Sequence, residues 1–378
     1  MSVLRWVAII VLAVLGSVVV GYGFVYFQTE ARIDRVYEID PALLEMSGVA
    51  DGGEGGVEGV GTSAGSGGSA VSAGTGVADG EDSTGNAGPG NGAEKSSPGR
   101  GSGGSVSGSG SGDRVSEIDS GTPGSEPINA TLEWGEHIAT TRGCRDCHGE
   151  DLGGAVFADE MPVFRLYGSN LTPIGVGASY SDEDWIRAIR HGVGPDGKPL
   201  LFMPSYEYYY LSDRDLGALI AYLKSLPPVD RDSPGSQVGP LGRVLFKAGK
   251  LPLIPAEMID HQAPRPETPM PGATVAYGEY LAVGCTGCHG EGFSGGAIPG
   301  VPPDWPEASN ITPDRETGLG NWTRADFFRA MREGRRPDGT ELRAEYMPWS
   351  NFVRFSDQEL TALWMYLETL EPRPAGGR

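Results

Sequence analysis

Two copies of one short cysteine pattern hold the residues best suited to chemistry in this chain of 378 residues. They use all four cysteines of the chain: Cys144, Cys147 and His148 in the first copy, and Cys285, Cys288 and His289 in the second. In each copy the two cysteines stand three residues apart, so both sulfurs lie on one face of a helical turn. A histidine follows directly, as in the pattern that attaches a c-type haem and places the histidine beneath the iron. The pattern predicts two covalently attached haem c groups.

Two other uses of paired cysteines fit this pattern less well. A zinc ribbon also pairs two Cys-x-x-Cys knuckles, but here the knuckles lie about 140 residues apart and each carries a trailing histidine. A redox-active dithiol pair is expected in a βαβ setting, whereas the surrounding hydrophobic pattern is helical. Since only 5 histidines occur in the chain, two that directly follow a cysteine pair by chance are improbable.

The sixth coordination position of each iron decides between electron transfer and catalysis. Met203 and Met347 stand at equivalent positions, each followed by proline, 55 and 58 residues after their proximal histidines. A methionine opposite histidine closes the coordination sphere and raises the reduction potential, so we predict both as axial ligands. Alternatively, these methionines only fill the core, or the ligand is another side chain: Met161, Met270, His191 or His261. Of these His261 is the strongest rival, whereas His191 is expected at the surface and His137 at the surface or in packing.

After the first 127 residues the chain repeats itself at an offset of about 141 residues. The repeated features include Ser-Asn-Leu/Ile-Thr-Pro after each haem motif, and capping-box patterns at Ser181 and Thr323 that begin a middle helix. An apolar last helix follows in both copies. Strand patterns are absent, so each copy is predicted to be a small all-α domain. The predicted boundaries are 128–228 for the first domain, 229–271 for a proline-rich connector and 272–375 for the second domain.

The N-terminal segment is predicted to anchor the chain in a membrane. Trp6 to Phe27 form an uncharged run of 22 residues, which as a helix spans roughly 33 Å, against a hydrocarbon core of about 30 Å. The alternative is a cleaved signal peptide, but its apolar region is shorter and ends in a small-residue cleavage site that is not found here. We predict a transmembrane anchor over residues 1–28 and a juxtamembrane segment over 29–46. Because c-type haem is attached outside the cytoplasm, the haem domains are expected on the periplasmic side of the inner membrane.

Residues 47–127 contain mainly glycine, serine, alanine and acidic residues, with 11 acidic and 3 basic side chains. Such a composition cannot form a core and predicts a disordered linker. Two interpretations stay open. The segment is either a tether, with a reach of roughly 50 Å, that lets the haem domains move away from the anchor, or a tolerated insertion without a role.

The charge of the chain restricts its partners. The formal net charge is −21, from 29 basic and 50 acidic residues. A charge of this sign excludes nucleic-acid binding, which needs a basic surface. It predicts redox protein partners with basic docking surfaces and association rates that depend on ionic strength.

Together these motifs resemble class I cytochromes c, in particular membrane-anchored dihaem cytochromes c such as the cytochrome subunits of periplasmic dehydrogenases. The resemblance covers residues 128–375 and rests on the leading helix, Cys-x-x-Cys-His, Asn-Leu/Ile-Thr-Pro, Pro-Asp-Gly, Met-Pro and the last helix. It implies the cytochrome c fold, with Met203 and Met347 as axial ligands. It also implies that the first and last helices of each domain cross, near Gly135 and Tyr222 and near Gly278 and Tyr366. The long glycine-rich insertion departs from the family's short spacer, and quinone-reducing relatives often carry three haems rather than two.

The predicted function is single-electron transfer between respiratory or dehydrogenase partners, by a chain that is not itself an enzyme. The alternative is a dihaem cytochrome c peroxidase, which also has two such motifs. That chemistry needs an open sixth position on one haem and acid–base groups beside it. A haem-based sensor is a third interpretation, favoured only by the long linker.

Overall fold

The structure, a computed structural model, describes residues 2–46, 128–263, 268–302 and 304–378. The predicted linker, residues 47–127, lies outside the described residues, and so does its predicted disorder. The described part consists of helices joined by loops, together with one small sheet.

The N-terminal helix α1 (Ser2–Ile33) carries the uncharged run that was predicted as the anchor. Its stretch Arg5–Ile33 is long and apolar enough to cross a membrane. Most large apolar side chains between Trp6 and Phe27 are exposed, as expected of a helix whose surface faces lipid. The helix continues beyond Phe27 to Ile33, so that its last turns carry charged residues.

The first haem motif lies in a domain of five helices in which the first and last helices cross. Glycine is required at the crossing, because a methyl group at Gly135 would overlap the carbonyl oxygen of Ala218 and the Cβ atom of Tyr222. This confirms the expected crossing near Gly135 and Tyr222. The helices are α2 (Ile128–Thr141), α3 (Cys144–His148), α4 (Asp182–His191), α5 (Ser205–Tyr208) and α6 (Asp213–Ser225).

A small antiparallel sheet follows the first haem motif. Strands β1 (Ala155–Glu160) and β2 (Phe164–Gly168) form a hairpin, and β3 (Gln237–Val238) pairs with β2 from the connector. The all-α prediction is therefore only partly confirmed. The strands are short, and β2 finds its second partner about seventy residues further along the chain, so no local hydrophobic pattern reveals the sheet.

The connector packs on the first domain through a hydrophobic cluster of its own. It carries helix α7 (Pro240–Lys247) and a 3-10 turn (Pro255–Met258). Its apolar side chains meet the inward side chains of β2. The cluster is formed by Phe164, Leu166, Val193, Phe246, Leu251, Leu253, Ile254 and Ala256.

The second haem motif lies in a domain that repeats the helical order of the first. A methyl group at Gly278 would overlap the carbonyl oxygen of Ala362 and contact the Cβ atom of Tyr366 closely, as at the first crossing. The second expected crossing is thus also confirmed. The helices are α8 (Val275–Ala282), α9 (Thr286–His289), α10 (Arg324–Glu333), α11 (Trp349–Phe352) and α12 (Asp357–Thr369).

The middle helix of each domain begins and ends as its sequence predicts. Ser181 and Thr323 are the N-caps of α4 and α10, and each forms a complete capping box with the aspartate three residues later. Gly192 and Gly334 end the helices in the left-handed conformation, with φ of 65° and 62°. The middle helix therefore begins and ends in the same way in both domains.

Charged contacts dock the end of α1 on the connector. Arg32 forms an ion pair with Glu257 in the 3-10 turn, and Glu30 pairs with Arg243 on α7. The Arg32 guanidinium also lies over the ring of Phe246, 3.7 Å from the ring centroid, as in a cation–π contact. The last turns of α1 are therefore held side by side with α7.

The segment after α1 continues along the body of the protein. The N–H of Tyr37 donates to the carbonyl oxygen of Gly197 (2.9 Å), and Leu44 is buried in the main core. Contacts made before residue 47 thus fasten α1 to the haem domains. Both interpretations of residues 47–127, a tether or a tolerated insertion, concern residues outside the described part of the chain and stay predictions.

Candidate haem-binding sites

Each predicted attachment motif forms about one helical turn directly after the leading helix of its domain. In the first domain Gly143, at φ 70°, redirects the chain from α2 into α3, which contains the whole motif. In the second domain Cys285 ends a 3-10 turn, and the remaining motif residues form α9. The six predicted attachment residues are therefore brought together in two groups of three.

A backbone carbonyl orients each motif histidine. Nδ1 of His148 lies 2.7 Å from the carbonyl oxygen of Ser169, and Nδ1 of His289 lies 2.7 Å from that of Ser309. A carbonyl oxygen only accepts, so Nδ1 carries the proton and Nε2 keeps its lone pair. A histidine held in this way presents Nε2 as a metal ligand. This geometry fits a haem iron at both sites.

The protonation state of both histidines suits the same role. Burial lowers the pKa of His148 and of His289, although the hydrogen bond to the carbonyl acts in the opposite direction. The neutral imidazole is therefore favoured at pH 7, and it is the form that binds a metal ion.

The cysteine thiols do not have the character of a redox-active pair. Burial raises the pKa of Cys144, Cys147 and Cys285 to about 12, and it also raises the pKa of Cys288. Reactive dithiol cysteines have lowered pKa values. Within the described residues no group of three or more His, Cys, Asp or Glu side chains is placed to hold a metal ion. The arrangement thus disfavours both a dithiol and a zinc site.

The repeated Ser-Asn-x-Thr segment explains how the orienting carbonyl is held. Oδ1 of Asn170 accepts from the N–H (3.0 Å) and the hydroxyl (2.7 Å) of Thr172, and its Nδ2 donates to the carbonyl oxygen of Val229 (2.7 Å). Asn310 and Thr312 make the same pair of bonds in the second domain. The repeat was visible in the sequence, but the role of the preceding serine carbonyl was not, because a backbone group leaves no signal in residue type.

The loop after each histidine has the same unusual backbone. Leu152 and Phe293 both have φ of 56°, a conformation that non-glycine residues rarely adopt. Both side chains are buried, and their carbonyl oxygens accept from the N–H groups of Leu171 and Ile311. Burial and these hydrogen bonds hold the loop against the segment that orients the histidine.

The two methionines predicted as axial ligands lie in matching corners. Pro204 has φ −77° and ψ 54°, and Pro348 has φ −77° and ψ 55°. In both corners the carbonyl oxygen of the methionine accepts from the N–H two residues later, at 2.7 Å. Met203 and Met347 are partly buried and pack against the main core. Their rivals are far more exposed: 51% of Met161 and 84% of Met270 is accessible.

The histidine that rivalled the methionines is engaged elsewhere. Nε2 of His261 donates to the carbonyl oxygen of Ala256 (3.0 Å), and its Nδ1 lies 3.1 Å from Nδ1 of His191. Both ring nitrogens of His261 therefore have partners within the connector and α4. His191 is only 1% exposed, so the expectation that it lies at the surface is wrong. The connector covers this end of α4, which no helical pattern could show.

The two haem motifs meet the opposite domain in a reciprocal way. Asn351, on α11 just after the methionine of the second domain, donates to Oδ2 of Asp146 within the first motif (2.7 Å). Glu207, on α5 just after the methionine of the first domain, lies against Gly287 within the second motif. Each attachment turn thus contacts the helix that follows the other domain's methionine. Neither contact was predicted, because each joins residues that lie far apart in the chain.

Glu207 also has an unusual protonation behaviour. Burial raises its pKa to about 7, although the guanidinium of Arg142 and a hydrogen bond from Tyr206 act in the opposite direction. A carboxyl group with this pKa changes its charge near neutral pH, directly beside the second motif.

Comparison with known proteins gives two family matches. Residues 130–223 match the family described as cytochrome c oxidase, cbb3-type, subunit III, and residues 275–371 match the cytochrome c family. The cytochrome c subunit of a quinone alcohol dehydrogenase from Gluconacetobacter polyoxogenes is 27% identical over 286 residues, which cover 67% of this chain and 58% of that protein. The gluconate 2-dehydrogenase cytochrome c subunit from Pantoea cypripedii is 29% identical over 281 residues, covering 65% and 61%. A dihaem c-type cytochrome from Cereibacter sphaeroides is 33% identical over 63 residues, covering 17% and 21%.

The chain thus spans about three-fifths of the length of the dehydrogenase subunits to which it is similar. A histidine oriented for iron directly after two cysteines of one helical turn, within the matched regions, is the haem site of a c-type cytochrome. Because the site occurs twice, the chain contains two cytochrome c domains with a covalently attached haem c in each. Electron transfer is the function of the cytochrome c domains that both regions match.

Proposed function

We propose that this cytochrome is anchored in the inner membrane by α1 and passes single electrons through its two haems, one after the other, on the periplasmic side. The observation that carries the proposal is the reciprocal contact of the two attachment turns with the opposite domain, through Asn351 and Asp146 and through Glu207 and Gly287. The cysteines of each turn hold one edge of a haem. Haems attached by these two turns would lie near the shared interface, where an electron could pass from one domain to the other.

Each iron is proposed to be held by a histidine and a methionine. The first pair is His148 with Met203, and the second is His289 with Met347. The proposal is supported by the equal Met-Pro corners, by the exposure of the rival methionines and by the engagement of His261. A closed coordination sphere of this kind stabilises the reduced iron and leaves no position for a substrate.

The electron donor is proposed to be a dehydrogenase subunit outside the cytoplasm. The similar proteins include cytochrome subunits of alcohol, gluconate and fructose dehydrogenases. The net charge of −21 favours a basic docking surface on the partner. The length and composition of α1 support the membrane anchor. The periplasmic side is supported by the covalent haem, which is attached outside the cytoplasm.

Magnetic circular dichroism of the oxidised protein tests the ligands and the function together. Methionine bound to iron(III) gives a weak near-infrared charge-transfer band, and we expect two equivalents per chain. Met203→Leu and Met347→Leu should each remove one equivalent. Met161→Leu is the matched control and should remove none, because Met161 is exposed on the β1–β2 turn.

A result with one equivalent and a high-spin signal from the other haem would contradict the proposal. Such a haem would have the open position that peroxide chemistry needs. Turnover of hydrogen peroxide by the unmodified protein would then establish the peroxidase alternative.

A further inference from the structure

Helix α7 presents an apolar stripe to the outside of the protein. Phe246 on this helix points into the connector cluster and is buried. On the other side Leu241 and Val244, three residues apart and hence on one face, are 44% and 42% exposed. When one face of a helix is buried in the core and a second apolar face is exposed, the exposed face is a candidate surface for contact with a protein or a membrane.

The charge around this stripe differs from that of the rest of the chain. Residues 240–250 contain three basic side chains, Arg243, Lys247 and Lys250, and no acidic one. The whole chain carries −21. Lys247 and Lys250 are exposed at the C-terminal end of α7. An apolar stripe bordered by basic residues is typical of helices that lie in the surface of a membrane with anionic lipids.

The contacts of α7 with α1 set its depth relative to a membrane. Arg243 pairs with Glu30 and lies over the ring of Tyr26, 4.8 Å from its centroid, and Arg32 lies over Phe246. The α1 residues in these contacts run from Tyr26, at the end of the uncharged run, to Arg32. They span about 9 Å along the helix at about 1.5 Å per residue. The polar headgroup layer on each side of a bilayer is roughly 5–8 Å thick. If α1 crosses the membrane as proposed above, α7 lies at the level of the headgroups.

We propose that α7 and the turn after it form a membrane-surface contact for anionic phospholipids, which rests on the proposed anchoring by α1. Leu241 and Val244 enter the boundary between headgroups and acyl chains. Lys247 and Lys250 contact lipid phosphates. Because α7 also packs on the first haem domain, this contact fixes the height of that domain above the membrane.

Spin labels in the full-length, haem-loaded protein test this placement. All four native cysteines are in the haem motifs, so each added cysteine is the single site for a label. Labels at Leu241→Cys and Val244→Cys are compared in nanodiscs of phosphatidylcholine with phosphatidylglycerol. We expect several-fold more collisions with oxygen, relative to a water-soluble nickel chelate, than for a label at Val353→Cys. Val353 is 38% exposed at the end of α11 and serves as the matched control.

A label at Val18→Cys separates the two proposals. If this label is reached freely by the nickel chelate, α1 is not in the membrane and the anchor proposal fails. If it is protected while the labels at positions 241 and 244 behave like the one at 353, the anchor stands and the surface contact is overturned. That second result would assign the apolar stripe to contact with a protein partner instead.

The lysines are tested by removing their charge in the protein labelled at position 241. In discs with phosphatidylglycerol, Lys247→Gln combined with Lys250→Gln should lower the ratio of oxygen to nickel collisions towards its value in phosphatidylcholine alone. Lys224→Gln, an exposed lysine on α6, is the control and should leave the ratio unchanged. Equal ratios in both kinds of disc for the unmodified lysines would overturn the assignment to anionic lipid.

Discussion

The hydroxyl of Tyr280, on α8 of the second domain, donates a hydrogen bond to Oδ2 of Asp215 on α6 of the first domain, at 2.5 Å. The equivalent residues make the reverse contact, since Nε2 of His137 lies 2.8 Å from Oε1 of Glu359. Both carboxylates stand three residues after the N-cap of their helix. The leading helix of each domain thus reaches the first turn of the other domain's last helix, and these two contacts join the haem domains.

Tyr280→Phe should destabilise this interface. The substitution removes a donor from the buried carboxylate of Asp215, and a buried group that loses its partner costs about 1–3 kcal/mol. The free energy of unfolding, followed by circular dichroism in guanidinium chloride, measures the effect. Tyr210→Phe is the control, since Tyr210 is exposed. Equal stability of the two variants would show that the Tyr280 hydroxyl does not contribute to the interface.

Glu207 should make the potential of the second haem depend on pH. Burial raises its pKa to about 7, so the carboxyl is neutral below that pH and negative above it. A negative charge favours the oxidised iron, and the midpoint potential should therefore fall between pH 6 and pH 8, by an amount on the order of tens of millivolts. Spectroelectrochemical titration at several pH values measures this fall. Glu207→Gln should remove it and should raise the potential at pH 8.

The same carboxyl makes stability depend on pH, and the sign follows from its raised pKa. The folded protein holds the Glu207 proton more tightly than the unfolded chain does. The protonated carboxyl therefore contributes to the free energy of unfolding. This contribution is fully present below the pKa that Glu207 has in the unfolded chain, and it is lost as the pH rises through about 7. Glu207→Gln should therefore stabilise the protein relative to wild type at pH 8 but not at pH 4. Glu150→Gln is the matched control, because Glu150 is exposed just after the first motif. A similar response of both variants would count against the assignment to Glu207.

Asn170→Ala should loosen only His148, the histidine proposed to bind the iron of the first haem. It removes both bonds to Thr172 and the bond to Val229, which hold the carbonyl that orients His148. We expect a less stable first site, with a high-spin fraction visible by resonance Raman spectroscopy. Asn310→Ala should do the same at the second site. Asn321→Ala removes an exposed asparagine of the second domain and should change neither spectrum.

Gly135→Ala should force the crossing helices of the first domain apart. The added methyl group would overlap the Ala218 carbonyl oxygen, which belongs to the backbone and cannot turn away. We expect a loss of about 1–3 kcal/mol or more in the free energy of unfolding. Gly272→Ala is the control, because the nearest atom lies 3.7 Å from the position of its added methyl group. An equally stable Gly135→Ala protein would mean that the helices can separate without cost.

The features that could be predicted from the sequence are those that depend on short, continuous segments of the chain. The haem motifs, the capping boxes that begin α4 and α10 and the glycines that end them each depend on residues within a few positions. Duplication strengthened each inference, because a pattern seen twice at one offset is improbable by chance. Pairs of distant residues within a domain, such as Gly135 and Tyr222, came from resemblance to a family and not from the pattern itself.

The features that escaped prediction join distant segments. The docking of α1 depends on Glu30 and Arg32, whose partners Arg243 and Glu257 lie more than two hundred residues away. Each side chain alone is an ordinary surface charge, so the sequence does not reveal its partner. The burial of His191 was not predicted for the same reason, because the segment that buries it is the connector.

The docked end of α1 makes a duplicated protein directional. Two similar domains joined by a connector would offer a partner two interchangeable entrances. Here α1, the proposed anchor, is fastened to α7, and α7 to the first domain, so the two haem domains have different relations to α1. With α1 in the membrane as proposed, electrons that enter at one domain and leave at the other would travel along an axis with two different ends. A partner in the membrane and a partner in solution would then not compete for the same haem.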